Sequence, residues 1–169
     1  MRLALILAAI GTMSAQGVPT WGGLRFGMTE AQVRSILGTK MLKPEPGPEH
    51  QPLDKSSHNF VSALVRELSV NGFEGKASLL FDKSSKKLSM VTLMLTPQKE
   101  SSDQDKASAY SRLRDDLVKK YGSPVSVEEN TTIFRSGGQS IDVFATLSSN
   151  GVPLSVYIAY EATNTAKGI

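Results

Sequence analysis

Residues 139–160, QSIDVFATLSSNGVPLSVYIAY, decide how this chain is read. Ile141, Val143, Ala145 and Leu147 recur at every second position, the period of a strand with one buried face. Asn150-Gly151 is a hairpin-turn signal, because both residues tolerate the positive φ that a tight turn requires. Leu154, Val156, Ile158 and Tyr160 answer beyond the turn with the same period. A lone hairpin is marginal in water, so this one must pair with further strands.

Those strands are legible upstream. Residues 131–136 lead through Gly137-Gly138 into the hairpin, preceded by a weaker strand over 125–128. Residues 61–70 alternate imperfectly and end at Asn71-Gly72; residues 76–82 then place Ala77, Leu79 and Phe81 on one face. A polar turn at 83–87 follows, and its lysines read as a solvated tip rather than an anion reader. Residues 88–96 put Val91, Leu93 and Leu95 on one face before Pro97 ends the run.

Two helices interrupt the strands. Residues 26–38, FGMTEAQVRSILG, carry Thr29 as N-cap with Gln32 closing a capping box. Met28 and Val33 have staple spacing, Val33, Ile36 and Leu37 form an apolar stripe, and Gly38 supplies the C-terminal stop. The second helix starts from Ser101 or Ser102, with Gln104 or Asp105 three residues on to close a capping box, and ends at Gly122, with Pro124 beyond. Ala107, Tyr110, Leu113, Leu117 and Tyr121 fall along one of its sides. The order helix, strands, helix, strands predicts an α+β fold of tandem helix-plus-antiparallel-sheet units, with the helices packed on one face of the sheet. The units span 18–97 and 98–169, and the residues from 161 onward read as a frayed end.

A Pro-rich loop occupies 40–59, where Pro44, Pro46, Pro48 and Pro52 exclude a helix. It holds both histidines, His50 and His58, which read as surface residues; a metal site would need nearby carboxylates as well. Residues 1–17 read as a secretory signal peptide: a basic Arg2, an apolar run over 3–10 too short to span a bilayer, then small residues. Cleavage fits before Val18, or after Ala15. Removing these 17 residues from 169 leaves 152, and losing Arg2 lowers the net charge from +3 to +2. That charge is too small and scattered for a nucleic-acid footprint. No cysteine is present, so neither a disulfide nor a lipid-modified cysteine is available, and no later apolar run is long enough for a membrane span.

The residues Gly27-Met-Thr-x-x-x-Val33, followed by Leu37-Gly38, resemble the opening helix of the SmpA/OmlA outer-membrane assembly lipoproteins. The order of elements is similar to that of the β-lactamase-inhibitor-protein-like group. The resemblance implies an envelope or secreted protein-binding module. The absent cysteine departs from both: the lipoproteins carry one after the signal, and the inhibitor is disulfide-bonded.

Enzyme signatures do not assemble. There is no Gly-x-Ser-x-Gly elbow, and the glycines of 21–27 have the wrong spacing for a phosphate loop. Asp115-Asp116 and Glu128-Glu129 are adjacent acids that point apart, as solvated residues do. The expectation is an exported, non-enzymatic protein-binding or scaffold module, periplasmic or secreted. It needs no cofactor or metal, has a protein partner, and makes no stable membrane insertion after signal cleavage. The alternative is a hydrolase or other enzyme with an unrecognised site. Alternation also marks a candidate binding face: Leu80, Met90, Met94, Phe134, Phe144 and Tyr157 fall opposite the core-facing set. Methionine with aromatics is typical of interfaces.

Overall fold

The tight turns written into the sequence join long antiparallel strands. Asn71 and Gly72 both take positive φ, 52° and 87°, and connect β2 (Asn59–Val70) to β3 (Phe73–Asp82). A polar turn carries β3 into β4 (Leu88–Pro97). After the helices are placed, β5 (Ser126–Val127), β6 (Thr131–Ser136), β7 (Gln139–Leu147) and β8 (Pro153–Ala162) complete the set, with β1 (Met41–Leu42) at the start. The computed structural model describes residues 20–42 and 59–163, of which 59–62 by their backbone alone. The expected signal peptide and both histidines therefore lie outside the described residues.

All eight strands belong to one sheet, in the order β1-β2-β3-β4-β8-β7-β6-β5. This corrects the expected α+β fold of tandem units, each a helix packed on a sheet of its own: the strands of both halves form a single sheet. The molecule is dominated by its sheet, which runs unbroken from the first half of the chain into the second. The seam is the β4–β8 ladder, from Met90 opposite Glu161 to Leu95 opposite Val156. Each of these strands would otherwise end its half with an open row of backbone donors and acceptors, and joining them satisfies both rows. Glu161 thus lies within a strand rather than in a frayed end.

The two helices are short by comparison. In α1 (Glu30–Leu37) the Thr29 hydroxyl accepts from the Gln32 amide while Gln32 Oε1 accepts from the Thr29 amide, a complete capping box. Gly38 ends it at φ 58°. Of its expected stripe only Val33 is fully buried; Ile36 faces solvent. α2 (Asp103–Tyr121) repeats the box with Ser102 and Asp105, whose carboxyl is held below its ordinary range by the Ser102 hydrogen bonds. Its buried residues are Ala109, Leu113, Leu117 and Tyr121; Ala107 is exposed.

Topology explains why α2 is the longer helix. It connects β4, in mid-sheet, to β5 at the far edge, four strand spacings or about 19 Å away. Nineteen residues reach about 28 Å, enough to cross obliquely. Its buried side chains join one core with Val91, Leu93, Leu95, Ile141, Val143, Ala145, Val156 and Ile158. At the end of α2 Tyr121 lies 6.2 Å from the Tyr160 ring, and Lys120 Nζ donates to the Thr20 carbonyl at 2.7 Å. Burial pushes the Tyr121 phenol up to about 12.

The β7–β8 connection differs from the two-residue turn that Asn150-Gly151 suggests. The loop runs from Ser148 to Val152, closed by the Ser148 amide donating to the Val152 carbonyl at 2.8 Å. The register then shifts: Thr146 is opposite Ser155 and Leu147 is opposite Pro153. The extra residue is Leu154, which the bulge turns to solvent instead of into the core.

Candidate functional site

In a sheet, residues directly opposite one another on neighbouring strands share a face. The register therefore assigns the positions that the core leaves over. On β3, β4, β8 and β7 one row reads Lys76, Met94, Tyr157, Phe144. The next reads Ser78, Thr92, Ala159, Asp142, ending on Ile133 of β6. The third reads Leu80, Met90, Glu161, Ser140 and ends on Arg135. We call this the outer face. The buried side chains of both helices belong to the opposite, inner face.

Met94, Tyr157 and Phe144 are 54%, 41% and 47% exposed and adjacent on three consecutive strands. Met90 is half-buried in the same face, and Leu80 is buried at its margin. Phe134 is a correction. It sits opposite Ile141, is 1% exposed and belongs to the inner core. Ile133 and Phe134 are both apolar, so alternation within this short strand gives no phase; pairing with β7 decides it. The face therefore presents Met94, Tyr157 and Phe144, with Met90 beside them.

Polar residues that sequence reasoning missed complete the face. The Tyr157 phenol is raised above its ordinary range by burial, against a hydrogen bond with Thr92 that lowers it. Ser140 Oγ donates to Asp142 Oδ1 at 2.6 Å. The Glu161 carboxyl is raised, first by burial and then by the Asp142 carboxylate, with Arg135 offsetting part of the effect. Asp142 precedes Phe144 by two residues and Glu161 follows Tyr157 by four, so alternation places both acids on the face.

Magnitudes set what such a surface can do. Side chains of this size bury ~200 Å² each, so the exposed half of three amounts to on the order of 300 Å². At ~25 cal/mol per Å² that is about 7 kcal/mol gross. Association alone costs ~4–15 kcal/mol. The apolar row can anchor an interface, but adjoining contacts must contribute to it.

Other places offer less. Asp116 accepts from Asn71 Nδ2 at 2.9 Å, which ties α2 to the β2–β3 turn, and Glu128 and Glu129 are exposed beyond β5. An open groove of about 650 Å³ beside β2 is lined by Trp21, Lys40, Leu42, Arg66 and Glu67 among others. Among the described residues no group of three or more His, Cys, Asp or Glu could hold a metal ion, and no helix is long and apolar enough to cross a membrane. No protein-family model matches this chain, and neither does any curated protein or solved structure.

Proposed function

We propose that this protein is an exported, non-enzymatic binding module that holds another protein against the outer face of its sheet. The observation that carries the reading is the contiguous row Met94–Tyr157–Phe144, exposed in register on three neighbouring strands. Apolar side chains of this kind scattered singly need no explanation, whereas three in register form a patch. Aromatic anchors with a polar surround match the composition of interface centres. The export half of the proposal draws on the order of basic, apolar and small residues over 1–17, and on the resemblance of the first helix to envelope lipoproteins.

Phe144→Ala and Tyr157→Ala test the docking reading. A surface anchor leaves the melting temperature nearly unchanged while weakening partner capture, scored by photocross-linking from position 94 in the producing cells, by ~2 kcal/mol or more. If both variants instead lose the ~3–5 kcal/mol of a truncated core aromatic, the face is covered and the reading is wrong. Intact mass of the exported protein checks the address: the expected N-terminus is Gln16 or Val18, and retention of Met1 contradicts export.

A further inference from the structure

The outer face is not uniformly apolar, and its charges are ordered. Asp142 on β7 and Glu161 on β8 occupy adjacent central strands, diagonal to one another across Ser140 and Ala159. Both are half-buried, and Asp142 lies two residues from Phe144, about 7 Å along the strand. The basic residues of the face stand to either side, Lys76 on β3 and Arg135 on β6. Two half-desolvated carboxylates beside an apolar row are costly to bury under a neutral or acidic surface.

We propose that Asp142 and Glu161 together receive a lysine or arginine side chain of the docked protein, so that the outer face selects basic amphipathic segments. The inference rests on the docking reading and names the chemistry of its partner. A cation placed there offsets the repulsion between the two carboxylates, while the apolar residues next to it cover Phe144 and Tyr157. A second copy of this chain fits poorly, because stacking two such faces about their centres opposes acid to acid. Among the described residues, the titratable and charged groups facing Glu161 are Asp142 on β7, Arg135 on β6 and Tyr157 on its own strand. Burial and Asp142 hold the Glu161 carboxyl above the ordinary range. An incoming cation favours its ionised form, so affinity rises as pH rises through this raised pKa and falls as pH drops through it.

Three synthetic amphipathic helical peptides test this against the full chain. They share one stripe of leucine and phenylalanine and carry lysine, glutamine or glutamate beside it. The lysine peptide is expected to bind about tenfold more tightly than the glutamine peptide, with glutamate weakest and the preference shrinking as salt is raised. The double variant D142N/E161Q should erase the preference for lysine over glutamate and its pH dependence, and a preference that survives it overturns the inference. F144A/Y157A should weaken all three peptides alike. Equal binding of the lysine and glutamate peptides, sensitive to F144A/Y157A, overturns the cationic partner and leaves the docking face standing. No binding of any peptide contradicts both. Concentration-dependent dimerisation of the full chain that F144A abolishes makes a second copy the occupant and overturns the inference.

Discussion

Gln139 is the residue least reconciled with its surroundings. It opens β7, is 2% exposed, and among the described residues neither its amide nitrogen nor its amide oxygen meets a hydrogen-bond partner. Leaving such atoms buried and unpaired costs about 1–3 kcal/mol per group. Methionine has nearly the same length and no such requirement. Gln139→Met is therefore expected to raise stability by about 1 kcal/mol or more, read from the midpoint of urea unfolding. A loss of stability would mean that the amide is satisfied in solution. Glu161 shows the same logic on the other face: burial and the neighbouring Asp142 carboxylate together hold its carboxyl above the ordinary range.

At the scale of elements, local sequence rules were the most legible. Both capping boxes, the Asn71-Gly72 turn and the alternation of β3, β4 and β7 are set by neighbours a few residues apart. Thr29→Ala should cost ~1 kcal/mol, and Gly38→Val more, since valine resists the positive φ observed there; denaturant melts decide both. Phases that depend on a partner strand were not legible: Phe134 needed β7 to place it, and Leu154 needed the bulge. Gly75 was missed for a similar reason. Nothing local marks it, yet a Cβ there would collide with the Met94 backbone carbonyl across the β3–β4 ladder. Gly75→Ala is expected to cost about 1–3 kcal/mol, at the upper end because the obstacle is backbone. A neutral effect in thermal melts would show that the two strands can separate there.

For the whole molecule, the decisive event is the joining of β4 to β8. Repetition of helix and strands along the chain is visible in the sequence, but which strand ends meet is a long-range choice that periodicity does not carry. That choice turns the chain into one eight-stranded sheet with one face closed by its core. It also creates the outer face, since Met94 and Tyr157 come into register only across that seam. The candidate site was half readable for the same reason: alternation identified apolar residues on each strand, and only the sheet order made them neighbours and set the two acids beside them. Hydroxyl-radical footprinting of Met94, Phe144 and Tyr157 decides the matter, comparing the purified protein with the same protein in the cells that produce it. Rapid labelling of all three is expected in the purified protein, and protection of all three in the cells. Protection already present in the purified protein would overturn the docking face.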